Sequence, residues 1–327
     1  MSDTPKPRRV CVFLLQLGGP DSQETIEPFL KNLFEDVLPL PGWLRGRVAG
    51  LIARRRTPHV APLYAEIGGG SPILANTEAQ ARGLEALLAA RGYDARALVV
   101  MRYSPPRARA VLEEARRHWS DALWVALPLY PQYSFATTRS SLDELNALLT
   151  TPEQERLLVI NAYPADPGYL DSVAACVREA LDTVPGTMKA ATHIVFSAHG
   201  LPMKLVREGD PYPDHVKQSV EGVMQRLNVT NPHVLCFQSR VGPVRWLEPS
   251  TIDTIRNLGA MGVRSVVIVP IAFVSEHIET LHELDIQLRD EARRVGIMDF
   301  RRAPTPGSRP RFLEALTDIV ARALPRD

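Results

Sequence analysis

Residues 10–21 read VCVFLLQLGGPD, an apolar run that ends in two glycines and a proline. Apolar and polar residues do not alternate within this run. The pattern is typical of a strand that is buried on both faces of a parallel sheet. A second run, HIVFS at 193–197, is followed by AHGLP in the other half of the chain. We therefore predict a buried parallel sheet in each half.

Apolar runs and amphipathic stretches alternate along the rest of the chain. The predicted strands are residues 10–17, 95–103, 122–129, 157–163, 193–197, 233–237 and 265–274. The predicted helices are residues 77–91, 106–118, 141–149, 168–184, 213–227, 251–258, 276–294 and 311–324. Strands that are separated by helices predict an α/β fold with doubly wound, Rossmann-like parallel sheets.

The length predicts two such domains. A chain of 327 residues corresponds to two domains at ~150 residues each, with about four strands in each sheet. The sequence TTPEQER at 150–156 interrupts the pattern. We expect an N-terminal Rossmann-like domain at 1–154 and a C-terminal one at 155–308. A last helix within 309–327 is expected to pack back on the N-terminal domain.

Composition excludes several classes of protein. Hydrophobic residues make up 45% of the chain and charged residues 23%, as in an ordinary soluble protein. Disordered, collagen-like and coiled-coil chains are thereby excluded. The 38 basic and 37 acidic side chains leave a net charge of +1. A general nucleic-acid binder would carry a strong basic excess, so no nucleic-acid partner is expected.

Cysteine usage and apolar run length predict the compartment. Cys11, Cys176 and Cys236 are far apart and form no CxxC pair. Neither a disulfide framework nor a thiolate zinc site is indicated, and a reducing compartment fits best. The longest apolar runs, 10–17 and 266–274, have about half of the ~20 residues that a spanning helix needs. We expect a cytoplasmic protein.

The segment 38–57, LPLPGWLRGRVAGLIARRRT, combines apolar residues with five arginines. Two interpretations stay open. The segment is a helix packed on the sheet with an arginine-rich end, or a basic amphipathic helix that lies at the headgroup boundary of a membrane. An apolar flap that covers a hydrophobic ligand would show the same pattern. The second interpretation would place the protein peripherally on the inner membrane.

Glycine-rich strings follow the first strand at 17–21 and recur at 68–72. Neither matches GxGxxG or GxxxxGK[ST], so nucleotide binding is not supported. The glycines are expected to permit a tight turn and the close approach of a ligand to the backbone.

His199 follows a buried strand and precedes a glycine, Leu201 and a proline. Ligands of open α/β sheets lie outside the carboxyl ends of the strands. A histidine at this point is suited to act as a general base or a metal ligand. The alternative is a histidine that is satisfied by carbonyl groups of its loop.

A column of acidic residues follows the strand at 265–274. At 100° per residue, Glu276, Glu279 and Glu283 would fall within ~60° of one another on an α-helix, with Ser275 as its N-cap. Such a column is either a solvated acidic face or a path for a divalent ion. Histidine and carboxylates without thiolates favour an ion such as Fe²⁺. The zinc-protease motif HExxH is absent.

Two loops are rich in aromatic residues, hydroxyl groups or arginine. They read YPQYSFATTRSS at 130–141 and CFQSRVGPVRWL at 236–247. Two interpretations stay open for each stretch. It is an ordinary loop, or it lines a site for a flat apolar ligand with anionic edges.

Taken together, these motifs resemble ferrochelatase, the family that inserts ferrous iron into a porphyrin. The matching strings are GGP (18–20), GGSPI (69–73), MRY (101–103), YPQYS (130–134), FSAHGLP (196–202), GDPY (209–212), QSRVGP (238–243), WL (246–247) and SEHIETL (275–281). They occur in the family's order across nearly the whole chain. The histidine string and the SEHIETL string are highly specific as a pair.

The resemblance implies two Rossmann-like domains that flank a porphyrin cleft, and insertion of Fe²⁺ into protoporphyrin IX by a lyase of haem biosynthesis. It implies that His199 and Glu279 are the central pair, as iron ligands and in removal of the pyrrole protons. Which of the two is the base and which the ligand stays open. The resemblance also implies that Glu276, His277 and Glu283 form the iron access path on an irregular, π-type helix. The residues that it places against the porphyrin are Leu17, Arg102, Tyr103, Tyr133, Ser134 and Trp246, and the segment 38–57 is implied to be a hydrophobic lip that can touch the membrane.

The sequence also departs from some relatives. No cysteine follows Cys236, so we expect no iron–sulfur cluster of the kind that other members hold near the C-terminus. Leu17 stands where relatives carry Met or Tyr beside the metal, which implies that an outer iron ligand is absent there. Because the family's C-terminal extension is missing, a monomer is expected rather than an obligate dimer.

Two alternatives stay open. A cobalt or nickel chelatase would act on a more carboxylated tetrapyrrole and would need more arginines in the cleft. A two-domain haem or ligand carrier would have no need of acidic residues opposite His199. The sequence does not distinguish protoporphyrin from coproporphyrin as the physiological ring.

Overall fold

The run at 10–17 forms an inner strand of a four-stranded parallel sheet in the protein, described here from a computed structural model. Strand β1 (Arg9–Gln16) lies between β2 (Asp94–Met101) and β3 (Leu123–Pro128), and β4 (Leu157–Val159) follows β3. Residues 10–15 are fully buried, because both faces of the sheet are covered. The structure describes residues 7–38, 40–240, 242 and 244–325. Pro39 of the segment 38–57, and Val241 and Pro243 of the string QSRVGP, lie outside the described residues.

A second four-stranded parallel sheet has the same strand order. Strand β5 (His193–His199) lies between β6 (His233–Gln238) and β7 (Ser265–Pro270), and β8 (Asp299–Arg302) follows β7. The predicted α/β class with two parallel sheets is confirmed. Strand β8 was not predicted, because Phe300 alone of its residues is apolar.

The described part of the chain divides into two compact units, and each unit contains more than one stretch of the sequence. Unit 1 contains the residues up to Leu129, then Ala136–Asn161 and the residues from Leu316 onward. Unit 2 contains Tyr130–Phe135 and Ala162–Ala315. The first sheet belongs to unit 1 and the second sheet to unit 2.

Helices connect the strands. They are α1 (Ile26–Val37), α2 (Gly42–Glu66), α3 (Ile73–Ala90), α4 (Ala108–His118), α5 (Ser140–Asn146), α6 (Thr151–Arg156), α7 (Pro167–Asp182), α8 (Gly186–Lys189), α9 (Met203–Arg207), α10 (Tyr212–Leu227), α11 (Thr251–Ala260), α12 (Arg289–Arg294) and α13 (Pro310–Ala323). A 3₁₀ turn spans Gln23–Thr25, and π-helices span Phe135–Arg139 and Glu279–Leu288. Among the residues described, no helix has both the length and the apolar character to cross a membrane.

The α-helical spacing used for 276–294 is wrong in the first half of that stretch, where the π-type helix that the resemblance implies is present. A π-helix begins at Glu279 and passes into α12 at Arg289. Ser275 is therefore not an N-cap, and Glu276 and His277 precede the helix. Leu284 and Leu288 of the π-helix are buried in the core of unit 2, which also contains Val195 and Ile268. Burying each such side chain stabilises the fold by about 1.5–3 kcal/mol. This packing fixes the π-helix against the sheet.

Candidate active site

Unit 2 brings His199 and Glu279 together. His199 ends β5 and Glu279 begins the π-helix after β7, and His199 Nε2 lies 3.6 Å from Glu279 Oε1. His199 Nδ1 lies 2.6 Å from the carbonyl oxygen of Gly200. A carbonyl oxygen only accepts hydrogen bonds, so Nδ1 carries the hydrogen. In a neutral imidazole, the lone pair of Nε2 therefore faces the carboxylate.

His277 flanks the same carboxylate on its other oxygen. Its Nε2 lies 3.4 Å from Glu279 Oε2, and its Nδ1 donates to the carbonyl oxygen of Ser275 at 3.1 Å. The ring contacts Phe273 with centroids 4.8 Å apart. The Glu279 carboxylate thus lies between two Nε2 atoms whose own Nδ1 partners are backbone carbonyls. A cation, either a proton or a metal ion, satisfies such a pairing.

The environment keeps Glu279 ionised. Burial raises the pKa of this carboxyl group, but the charge of His199 and the hydrogen bond and charge of His277 outweigh it, and the pKa falls to about 2. Glu279 is therefore a carboxylate throughout the neutral range and a weak proton acceptor.

Glu283 is held by the carboxyl end of β6. Its oxygens accept from Ser239 N at 2.8 Å, Ser239 Oγ at 2.5 Å and Gln238 Nε2 at 3.2 Å. Ser239 has φ +63°, a left-handed conformation that is uncommon for a residue other than glycine. Burial and the negative charge of Glu279 raise the pKa of Glu283. This carboxyl group accepts a proton more readily than Glu279 does.

Glu276 is anchored away from this pair. Its carboxylate accepts from Arg302 Nη1 at 3.1 Å, Thr305 N at 2.9 Å and Thr280 Oγ1 at 2.6 Å. Burial raises the pKa of Glu276, but Arg302 and these hydrogen bonds bring it below its usual value. The expected single column of three carboxylates is therefore split, because Glu276 lies before the helix and binds Arg302 of β8.

No group of three or more His, Cys, Asp or Glu side chains among the described residues is arranged to hold a metal ion. His282 of the π-helix, which lies among the acidic residues in the sequence, is buried.

Three porphyrin-binding candidates, Tyr133, Ser134 and Trp246, also lie in unit 2. Ser134 is buried and its Oγ donates to Asp210, whereas Tyr133 is half-buried. Trp246 pairs with Pro202 in an isolated bridge, and its ring lies against Gly200, where a Cβ would be 3.2 Å from the ring. Trp246 Nε1 is a buried donor without a partner among the described residues.

Three other candidates, Leu17, Arg102 and Tyr103, lie in unit 1. Leu17 is half-buried and follows β1. Arg102 Nη2 lies 2.6 Å from Asp36 Oδ1, and Tyr103 OH donates to Asp36 Oδ2 at 2.7 Å. Glu144 lies 3.4 Å from Arg102 Nη1. The Arg102 guanidinium is thus paired with two carboxylates of its own unit.

The glycines of the two strings in unit 1 lie in close contact with other protein atoms. A Cβ on Gly18, which has φ +84°, would lie 2.2 Å from Ser104 Oγ. A Cβ on Gly70 would lie 2.2 Å from the carbonyl oxygen of Asp21. The tight turn that was predicted is present, and the close neighbours are protein atoms.

A family model described as Ferrochelatase matches residues 9–324. The chain belongs to the ferrochelatase family. The ferrochelatase of a Nostoc species is 45% identical to it over 97% of this chain and 82% of that protein. The ferrochelatase of Geotalea uraniireducens is 42% identical over 97% of this chain and 99% of that protein.

Solved structures of other chelatases share the ferrochelatase-family fold. The cobalt complex of the sirohydrochlorin chelatase SirB from Bacillus subtilis subspecies spizizenii has a TM-score of 0.53 at 10% identity and covers 97% of this chain and 95% of its own. CbiX, the terminal enzyme of sirohaem biosynthesis in denitrifying bacteria, has a TM-score of 0.50 at 15% identity and covers 97% and 100%. At these identities the likeness shows the fold alone.

The sequence analysis of this ferrochelatase-family chain missed Asp36 and Arg302, which hold the candidate site residues Arg102 and Glu276 in place. Asp36 pairs with Arg102 across 66 positions and Arg302 pairs with Glu276 across 26. Neither belongs to a motif in the sequence. The one signal for Arg302 in the sequence is the arginine pair at 301–302, which follows the predicted helix at 276–294.

Replacing Arg302 with Met is expected to destabilise unit 2 by about 3 kcal/mol, because two carboxylates in a largely buried network lose their cation. Arg302 is 11% exposed and also pairs with Asp285 at 2.8 Å. Urea denaturation measures the loss. The matched control is Arg301→Met: Arg301 is 40% exposed and pairs with Asp299, so its loss should be about 1 kcal/mol or less. Equal losses in both variants would show that the Arg302 network is not the stabilising element.

Proposed function

We propose that this protein inserts Fe²⁺ into a porphyrin, the last step of haem synthesis, and that the physiological ring is protoporphyrin IX. The observation that carries the proposal, beside family membership, is the Glu279 carboxylate between the Nε2 atoms of His199 and His277. The imidazoles of this set can accept protons, and the carboxylate can supply one anionic oxygen ligand to a divalent cation.

The reaction breaks two pyrrole N–H bonds, forms four Fe–N bonds and releases two protons. Fe²⁺ must also lose its water shell. His199 Nε2 is the proposed acceptor of a pyrrole proton, because its lone pair faces Glu279 and its Nδ1 is already committed to Gly200. Glu279, with a pKa of about 2, is too weak a base for this role. Its negative charge stabilises the imidazolium that forms, and it serves as the anionic ligand of the incoming iron.

Two neighbouring groups complete the proposed path. His277 Nε2 faces the second oxygen of Glu279 and can take up a proton or the iron. Glu283 is the other carboxylate of the path, and its raised pKa, caused by burial and by the charge of Glu279, suits it to receive the second proton. Glu276 is assigned an anchoring role instead, since Arg302 and Thr305 occupy its carboxylate.

Anaerobic mixing of the purified protein with protoporphyrin IX and Fe²⁺ tests the function. The absorbance bands of the free porphyrin are expected to change to the metalloporphyrin pattern over many turnovers. A cobalt or nickel chelatase would turn over those ions and leave Fe²⁺ unused. A haem carrier would bind one ring per chain without inserting metal. Either outcome would overturn the proposal.

We propose further that α2 makes a peripheral membrane contact. Trp43 is 76% exposed and Leu51 is 47% exposed, eight positions apart on one face of the helix. Arg47 and Arg55 lie on the same stripe and are exposed. Exposed apolar side chains among arginines suit a surface with anionic headgroups. In unit 1 the segment thus combines a buried face, with Ala49 and Ala53 fully buried, and an apolar and basic outer face.

The double variant Trp43→Ser, Leu51→Ser is expected to weaken binding to anionic phospholipid vesicles, because about 3 kcal/mol of apolar transfer is lost. Vesicle flotation measures the bound fraction. The matched control is Met261→Ser, a side chain that is equally exposed at 76% but lies at the end of α11 in unit 2. Flotation of the double variant at the level of the unchanged protein would exclude α2 as the contact.

A further inference from the structure

We propose that Asp210 and Tyr212 of the string GDPY (209–212) are positioning residues. They hold the loop at 130–135, which contains Tyr133, and the backbone of His199 in fixed relation to each other. This inference rests on the proposed function, since it assigns the loop to porphyrin binding and His199 to the chemistry. The site described above leaves the string without a role, although it is one of the motifs of the sequence.

Asp210 is a buried anchor for the loop at 130–135. The residue is 4% exposed. Its Oδ2 accepts from Ser134 Oγ at 2.8 Å and from Phe135 N at 2.7 Å, and its Oδ1 accepts from Tyr212 N at 3.0 Å. Hydrogen bonds to a carboxylate are stronger than those between neutral groups. The carboxylate therefore fixes the loop to the start of α10.

The anchored loop presents Tyr133. On one side of it, Gln132 Nε2 donates to Tyr169 OH and Ser219 Oγ. On the other side, Ser134 is 2% exposed and bound to Asp210. Tyr133 N donates to His215 Nδ1 at 3.1 Å, and its half-buried ring meets Phe135 edge-on. The side chains of Gln132 and Ser134 are thus bound to protein groups, and we assign the half-buried ring of Tyr133 to the ligand, with Ser134 acting through Asp210.

The other end of the string reaches His199. Tyr212 OH donates to the carbonyl oxygen of His199 at 3.1 Å, and the tyrosine is 7% exposed. Burial raises the pKa of Tyr212, so the phenol stays a donor. Gly209 has φ +93°, the left-handed conformation that the turn before Asp210 requires. One short string thus binds both the loop and the strand end.

Asparagine cannot replace Asp210. The two carboxylate oxygens accept two different backbone N–H groups, those of Phe135 and Tyr212. An asparagine side chain has one acceptor oxygen, and its NH₂ group only donates. Asp210→Asn therefore leaves one backbone N–H opposite another donor and removes the negative charge, so the string holds the loop less firmly.

The test separates binding from turnover. For Asp210→Asn we expect the KM for protoporphyrin IX to rise about tenfold with kcat within about twofold, since one buried donor is left unpaired. For Tyr212→Phe we expect kcat to fall about threefold or more with KM unchanged, since one hydrogen bond to the His199 backbone is lost. The control Ser172→Ala removes a buried hydroxyl that donates to Tyr169 O in the same unit, and should change neither constant.

Porphyrin affinity is also measured directly by fluorescence titration without iron. Loss of affinity in Asp210→Asn, with wild-type affinity in Tyr212→Phe, supports the proposal even if the unchanged protein inserts no iron, in which case the proposed function alone fails. If Asp210→Asn does not fold, Ser134→Ala takes its place, with an expected loss of affinity of about threefold. Unchanged affinity in the folded variant, or equal falls in kcat and affinity in both variants, would overturn the proposal.

Discussion

His199→Ala is expected to abolish iron insertion while porphyrin still binds. The substitution removes the Nε2 lone pair that faces Glu279 at 3.6 Å. The Glu279 carboxylate that remains is by its chemistry a weaker base than an imidazole and does not replace it at neutral pH. Loss of a general base lowers the rate by about 10²–10⁴. Absorbance under anaerobic conditions measures insertion, and quenching of protein fluorescence measures porphyrin binding.

The control for this variant is His233→Ala. His233 begins β6, the strand that pairs with β5, so it lies at the amino end of the sheet whereas His199 lies at the carboxyl end. The control should keep nearly full turnover. Near-full turnover in His199→Ala as well would mean that the proton goes to another group.

Glu279→Gln is expected to lower kcat by a factor of about 10² or more, because the anionic ligand and the counter-charge of two imidazoles are lost together. The pKa of Glu279 lies below its usual value, at about 2, so its charge is lost only as the pH falls toward that value. The loss in kcat should therefore persist throughout the range from about pH 6 to pH 8.

Steady-state rates across that pH range check this prediction. The control is Glu179→Gln, since Glu179 is a half-exposed carboxylate paired with Arg309 in the same unit, and it should change kcat little. A fall of less than about threefold in Glu279→Gln would contradict the assigned role.

The family resemblance implied the pairing of His199 with Glu279, and the ends of two strands give it a physical basis. Unbroken apolar runs identify parallel strands, and their carboxyl ends meet at one edge of a sheet. His199 and Glu279 follow β5 and β7, which are neighbours in the sheet. The strand pattern thus places His199 and the acidic residues at the carboxyl ends of strands, and the resemblance alone selects Glu279 among them.

The position of the Glu276 side chain and its partner could not be predicted from the strand pattern. An α-helical spacing places it beside Glu279 and Glu283, but the π-helix begins only at Glu279. The partner that holds Glu276 is Arg302 on β8, an edge strand with one apolar residue. Edge strands of this kind have no hydrophobic period. The same limit applies to Asp36, whose contact with Arg102 joins distant parts of the chain.

The restraints around the site suit a centre that passes protons and metal ions along. Backbone carbonyls fix the tautomers of His199 and His277, so both Nε2 atoms face one carboxylate. Ser239 holds Glu283 from a left-handed backbone conformation, and such conformations persist where the surrounding structure enforces them. The polar groups are thus oriented before the ring arrives, which lowers the reorganisation needed during the reaction.

Proton release and metal insertion can be counted together in one experiment. The purified protein is mixed anaerobically with protoporphyrin IX and Fe²⁺ in weak buffer, and a pH indicator follows proton release while absorbance follows the ring. The account predicts catalytic conversion to protohaem with two protons released per ring, and neither signal in His199→Ala. Tight binding of the ring with no metal inserted, or insertion at the same rate in both proteins, would contradict it.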